Sequence, residues 1–194
     1  MEILQRILSK VFSSATKYQD KVRMETIRRK MNVVIHSSFR IGNSSTISIK
    51  GGECKQLRIE KNVSCRRFCN FLILKNAELI INENVFFNNS CSINCLHSIE
   101  IGAHTIFGEG VKLYDHNHKY DYSPELLIHR DDFSVAPIRI GNNCWIASNV
   151  TILKGVTIGD NVIIGANCLI HQSIPSNSVV KINQQLTIQS AFQR

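Results

Sequence analysis

From residue 140 onward isoleucine returns every six positions, at Ile140, Ile146, Ile152, Ile158, Ile164 and Ile170. Four residues after each stands another compact or branched apolar residue: Cys144, Val150, Val156, Val162, Cys168 and Ile174. Earlier stretches repeat the pattern. Ile101, Phe107 and Leu113 are six apart, with Thr105 and Val111 at the fourth offset, and Ile81, Phe87, Ile93 and Ile99 form another phase with Val85 and Cys91. Ile41 and Ile47 begin it again, weakly. A period of six is not helical. It contains the strand period of two, so both repeated positions point to one face. Gly, Asn and Asp follow the isoleucines, and these types tolerate the backbone of a sharp corner. Short strands joined by tight corners stack into a parallel β-helix, each coil burying its inward residues on the next.

Two segments depart from that rhythm. Residues 1–30 place Ile3, Leu4, Ile7, Leu8, Val11 and Phe12 at helical spacing, which predicts one or two helices packed on the coil stack or on a neighbouring subunit. Residues 115–137, DHNHKYDYSPELLIHRDDFSVAP, are long, mixed in charge and contain two of the three prolines. A loop of this length between well-formed repeats is usually functional. The chain thus divides into a helical segment 1–30, a β-helix 31–180 with a protruding loop 115–137, and a tail 181–194.

Composition is ordinary for a globular chain, with 43% hydrophobic and 20% charged residues. Nothing in it suits disorder, and no apolar run is long enough for a membrane span. Net charge is +8, and residues 1–30 carry eight Lys/Arg against three Asp/Glu. A basic amphipathic segment allows peripheral membrane contact as the competing role for residues 1–30. No nucleic-acid motif accompanies the charge, so DNA and RNA are not expected partners. The seven cysteines are odd in number and follow no secretion signal. That favours a reduced, cytoplasmic protein whose cysteines are small apolar core residues, with no metal.

The chemistry concentrates at Tyr114-Asp115-His116-Asn117-His118, two imidazoles and a carboxylate at the loop entrance. An imidazole titrates near neutrality and can take a proton from an alcohol or amine during attack. The residues do not separate His116 from His118, because two positions apart on an extended segment they share a face.

These repeats resemble the hexapeptide-repeat acyltransferases, strongly over residues 80–175. The resemblance implies a left-handed β-helix of triangular section, homotrimers, and direct acyl transfer from acetyl-CoA. In sugar and xenobiotic acetyltransferases a catalytic histidine lies seventeen residues after the Ile of an Ile-Gly corner. Counting from Ile101-Gly102 reaches His118, and Asn117-His118-Lys119-Tyr120-Asp121 is similar to the streptogramin-type stretch. His118 is therefore the expected general base, with His116 second and Asp115 orienting an imidazole. The same resemblance implies acceptor contacts at Asn88, Trp145 and Tyr114. It places the coenzyme against Trp145, Ala147, Ser148, Gly165 and Ala166, whose small size admits the pantetheine arm, with Lys154 and Lys181 on its phosphates. The stretch Val180-Lys181-Ile182-Asn183 departs from the Gly-Asn-Pro-Ala-Lys found in the family. The DHNH stretch looks most like enzymes that O-acetylate capsule, O-antigen or sialic acid. A streptogramin-type acetyltransferase, an amino-sugar N-acetyltransferase and a non-catalytic β-helix scaffold are the alternatives.

Overall fold

The computed structural model describes residues 1–183, with only part of the side chains described along residues 2–21. Among the described residues one helix, Glu2–Arg28, leads into a parallel β-solenoid with three strands per coil, a left-handed β-helix. Coil 1 comprises Val33–Ile35, Arg40–Ile41 and Thr46–Lys50; coil 2 comprises Gln56–Ile59, Ser64–Cys65 and Asn70–Leu74. Coil 3 follows with Glu78–Ile81, Phe86–Phe87 and Ser92–Cys95, and coil 4 with Ser98–Ile101, Ile106–Phe107 and Lys112–Tyr114. Coil 5 has Ile138–Ile140, Trp145–Ile146 and Thr151–Leu153; coil 6 has Thr157–Ile158, Ile163–Ile164 and Leu169–Ile170. Val179–Val180 begins a seventh coil by pairing with Ile163–Ile164. The first, second and third strands of the coils stack into three sheets, faces A, B and C of a prism.

Two complete coils therefore lie in residues 33–74, where the hexapeptide pattern was faint. The pairings give the reason. Val33 pairs with Leu57, 24 residues on; Leu57 pairs with Leu79, 22 on; Leu79 pairs with Ile99, 20 on. Ile140 pairs with Ile158 at 18, the sum of three hexamers, and Ile158 meets Ile174 at 16. The surplus residues enter at the edge between faces C and A, where face C shortens from five residues in coils 1 and 2 to two in coil 6. Each surplus pair shifts the phase by two, so Ile99 and Ile101 both point inward from one strand.

Corners explain the abundance of asparagine. Asn62, Asn84, Asn143, Asn149, Asn161 and Asn167 all have φ between 55° and 62°. Asn enters this left-handed region more readily than other side-chain-bearing residues. Cysteines have a second corner role. Cys69 Sγ donates to the Asn88 carbonyl at 3.1 Å, Cys91 Sγ to Gly108 at 3.2 Å and Cys144 Sγ to Gly159 at 3.2 Å. Ser45 and Thr105 do the same toward Arg66 and Gly141. Each is a small inward residue whose weak or strong donor meets the corner carbonyl one coil ahead. All seven cysteines are buried and free. Burial pushes the Cys65 and Cys95 thiols up, with the Asp115 charge adding to the rise at Cys95, whereas the Cys91 thiol is raised first by its hydrogen bond with Cys69 and then by burial.

The wider coils carry aromatic cores. Phe87 stacks on Phe107 at 4.6 Å and meets Phe71 edge-on at 5.0 Å, all three buried. Among its described side chains the helix packs on the coil core through Met24 and Ile27, and Arg28 donates to the His36 carbonyl at 3.3 Å, whereas Leu8, Val11 and Val22 are exposed. Residues 184–194, most of the expected tail, lie outside the described residues. No helix among the described residues is long and apolar enough to cross a membrane.

Candidate active site

Residues 116–135, expected as a loop, form an antiparallel hairpin of His116–Tyr122 and Leu126–Val135. It leaves the prism at the edge between faces C and A, after Tyr114. Asp115 makes that departure possible. Elsewhere each coil donates its backbone N–H groups to carbonyls of the next, as His36 does to Ile59 and Asn82 to Ile101. Where the chain turns away after coil 4 those carbonyls are missing. The buried Asp115 carboxylate replaces them, accepting from the N–H groups of Leu96 (2.9 Å), His97 (2.8 Å) and Ser98 (2.9 Å). Its contact with His116 Nδ1 is longer, 3.4 Å. Asp115 thus serves the backbone first and the imidazole second. The His116 side chain is largely covered and lies edge-on to Tyr114 and Phe133.

His118 has a different environment. The hairpin register breaks between His118 and Tyr120, so that the second strand carries four residues, 129–132, opposite the single Lys119. This bulge brings the His129 carbonyl to 3.1 Å from His118 Nδ1, and the imidazole leans on Phe133 with ring centres 4.7 Å apart. Bulges re-aim side chains in this way beside active sites. A carbonyl only accepts, so Nδ1 is the donor and the neutral ring carries its proton there. Nε2 is left as a free lone pair. His118 borders a cavity of about 580 Å³, lined also by Asn117, Lys119, His129, Ser134 and Lys154. Lys119 pairs with Asp132 at 2.9 Å and holds that carboxyl below its ordinary range. His129 Nε2 meets Asp121 Oδ2 at 2.7 Å, and Lys154 Nζ donates to Ser134 Oγ.

The remaining expected residues lie on another edge. Register places Gly42, Arg66, Asn88, Gly108, Ala147, Gly165 and Lys181 in one column at the edge between faces B and C. Ser148 and Ala166 follow immediately in their coils. Backbones approach closely here: a Cβ on Gly108 would lie 2.5 Å from Ser148 N. Asn88 Oδ1 accepts from Asn89 N at 2.9 Å. Trp145 stands on the outer side of face B, half exposed, in a file with Phe86, Ile106, Ile163 and Val179. A single chain therefore gathers Tyr114, Asp115, His116, His118 and Lys154 at one edge. Asn88, Trp145, Ala147, Ser148, Gly165, Ala166 and Lys181 belong to another. Lys154, expected beside the coenzyme phosphates, groups with the hairpin instead. Sequence reasoning passed over the His129 carbonyl and Phe133, since neither a bulge nor a backbone acceptor leaves a residue-type signal.

Among the described residues no cluster of three or more His, Cys, Asp or Glu is arranged to hold a metal ion.

Residues 137–172 match the family model "Bacterial transferase hexapeptide (six repeats)". No curated protein matches the chain in sequence. Among solved structures, a hexapeptide-repeat-containing acetyltransferase from Vibrio cholerae O1 biovar eltor, complexed with acetyl coenzyme A, is 20% identical. That alignment covers 82% of this chain and 71% of that one, with a TM-score of 0.49. A polySia-specific acetyltransferase is 17% identical over 84% of this chain and 85% of that one, TM-score 0.50. An N-acyltransferase from Bacillus cereus, in complex with dTDP and 3-hydroxybutyryl-CoA, is 16% identical over 83% and 81%, TM-score 0.50. At these identities the likeness is one of fold.

Proposed function

We propose that this chain, which carries the hexapeptide repeat of the bacterial transferases, is an acetyl-CoA-dependent O-acetyltransferase acting on a carbohydrate hydroxyl. The observation that carries the reading is the His118 imidazole, with Nδ1 committed to the His129 carbonyl and Nε2 free beside a polar cavity. Nε2 takes the proton of the acceptor hydroxyl as its oxygen attacks the thioester carbonyl carbon. The C–S bond then breaks, the acetyl group stays on the sugar oxygen, and the imidazolium returns its proton to the CoA thiolate. A thioester is already activated, so positioning and a base supply most of what the step needs. An acyl-cysteine route has no candidate, because every cysteine is buried in the coil stack.

The B–C edge suits the donor. Ala147, Ser148, Gly165 and Ala166 leave a shallow path for the pantetheine arm, Lys181 continues it toward the phosphates, and Trp145 flanks the acyl end. Asn88, in the same column, contacts the acceptor. Donor edge and hairpin belong to different corners of one prism, so the complete site forms between copies. Two apolar surfaces support a homotrimer: the exposed file of Ile106, Trp145, Ile163 and Val179 with the half-buried Phe86, and the exposed hairpin tip with Tyr120, Tyr122, Leu126, Leu127 and Ile128. In a cyclic trimer the hairpin of one copy covers the edge of the next, giving three equivalent sites. Leu8, Val11 and Val22 of the helix are assigned to the same subunit packing; peripheral membrane contact is their competing role, and vesicle flotation separates the two.

The test is CoA thiol release from acetyl-CoA with sialic acid oligomers, other capsule sugars, amino sugars and a streptogramin. One carbohydrate class supports turnover, and His118→Ala lowers kcat by about 10²–10⁴-fold without loss of acetyl-CoA binding. Turnover surviving in His118→Ala moves the base to His116, and absence of acetyl-CoA binding by the intact protein overturns the enzyme reading.

A further inference from the structure

The donor edge continues past Asn88 into coils 2 and 1, and its chemistry changes there. The column position held by Gly108, Ala147 and Gly165 in the later coils is held by Arg66 in coil 2. Arg67 follows it, and Arg40 lies one coil below on face B. All three arginines are exposed. Among the described residues none has a carboxylate partner. Elsewhere on coil 2, Arg58 pairs with Glu60 at 3.0 Å, Lys61 with Glu83 at 2.9 Å and Lys55 with Glu78 at 3.3 Å. Positive charge on the B–C edge of coils 1 and 2 is left open.

The arginines border a shaped surface. A cavity of about 580 Å³ is lined by Gly42, Asn43, Cys65, Arg66, Arg67 and Asn89. Its floor needs Gly42, since a Cβ there would lie 2.6 Å from the Arg66 carbonyl. Arg66 is held over the Phe86 ring, 5.6 Å from its centre, and its Nη1 reaches 3.5 Å from Asn88 Oδ1. The guanidinium is thereby oriented from the side where the acceptor contact is proposed. Beside it, Phe68 has φ 62° and is 61% exposed. The equivalent corner position is Ser44, Ser90, Gly110, Asn149 or Asn167 in the other coils. A bulky ring in the left-handed region is unfavourable, and here no burial offsets it. An exposed flat ring held at such a position next to unpaired guanidinium groups has the make-up of a sugar-stacking face beside an anion clamp.

We infer that the B–C edge of coils 1 and 2 is an extended acceptor subsite for an oxyanion-bearing oligosaccharide, with Arg66 and Arg67 on its acidic groups and Phe68 against a sugar face. The inference rests on the acetyltransferase reading for its place in a reaction. It narrows the acceptor to an acidic glycan, with carboxylate or phosphodiester as the charged group. The reacting hydroxyl would lie near Asn88 and the acidic neighbours toward coil 1.

Binding and turnover are measured separately, so that the subsite and the activity fail independently. Oligosialic acid, its carboxyl-amidated form and a phosphodiester-linked oligosaccharide are titrated by calorimetry into intact protein, Arg66→Gln/Arg67→Gln, Phe68→Ser and His118→Ala. An acidic oligomer binds the intact protein and His118→Ala equally. It binds the arginine double variant about tenfold or more weakly, the size expected for losing charge-assisted hydrogen bonds. The carboxylate and phosphodiester arms tell which acid is recognised. In turnover the double variant raises KM for that acceptor and leaves kcat and the acetyl-CoA KM unchanged. Phe68→Ser weakens the acidic and amidated forms alike while leaving the melting temperature unchanged or higher, which a merely structural ring would not do. Equal affinity of intact protein and double variant for every acidic oligomer overturns the subsite. Arginine-dependent binding without any turnover upholds it and overturns the acetyltransferase reading alone.

Discussion

The two ends of the solenoid obey one packing rule with different coil lengths. Coil 5 steps to coil 6 by 18 residues and coil 6 steps onward by 16, whereas coils 1 to 3 step by 24, 22 and 20. Longer steps enclose a wider section, and the side chains follow. Phe71, Phe87 and Phe107 fill coils 2 to 4, whereas isoleucine, valine and cysteine suffice in coils 5 and 6. The edges differ as well. Small residues line the B–C edge at the late coils and Arg66, Arg67 and Phe68 at the early ones. A fixed period is therefore one solution of the stack among several. What persists along the whole chain is inward alternation plus a left-handed corner residue.

The largest effect expected from breaking this contrast is in the wide coils. Phe87→Ala removes the ring between Phe71 and Phe107 and costs about 3–5 kcal/mol, against about 0.5–1.5 kcal/mol for Ile164→Val at the narrow end. Equilibrium urea denaturation of both variants measures the difference. Equal losses would mean that the wide section is not held open by its rings.

A smaller effect separates the corners. Gly141 follows an isoleucine where the next coil comes so near that a Cβ would lie 2.6 Å from the Gly159 carbonyl carbon. Gly141→Ala costs about 1–3 kcal/mol through forced backbone shifts. Asn82 holds the same column in coil 3 and donates to the Ile101 carbonyl at 2.9 Å, so Asn82→Ala loses about 1 kcal/mol, one hydrogen bond. Melting scans of the two rank them, and an Asn82→Ala cost above that of Gly141→Ala would reverse the account of close approach.

How much of this was legible in the sequence follows from the same contrast. Residues 140–170 announce the strands because the coil from Ile140 to Ile158 spends three hexamers and the inward isoleucines keep one phase as far as Ile170. Residues 33–74 hide two coils because the surplus at the C–A edge slips the phase by two each time. The helix was visible as a stripe, but not its attachment through Met24, Ile27 and the Arg28 bond to the His36 carbonyl. The hairpin was visible only as an interruption. Its pairing depends on a four-residue bulge and on a buried carboxylate, Asp115, that stands in for absent carbonyls. Both are long-range backbone facts. His118 and His116 were named from spacing and resemblance; what distinguishes them is which ring nitrogen meets a backbone acceptor and which meets Asp115. The division of candidate residues between two edges was not legible, since nothing in a linear period says which corner a loop leaves from.

The central claim is that hairpin and donor edge complete one site only between copies, and subunit mixing tests it directly. His118→Ala removes the base from one chain. Ala147→Arg fills the donor path of another, at a column position where Arg66 already shows that the fold accepts a long cation. Each variant alone is expected to be inactive as an assembled oligomer, and co-refolded mixtures should regain acetyl transfer, because some interfaces then join an intact hairpin to an intact edge. Mixtures that assemble yet stay as inactive as their parents would contradict a shared site and return the whole chemistry to one chain.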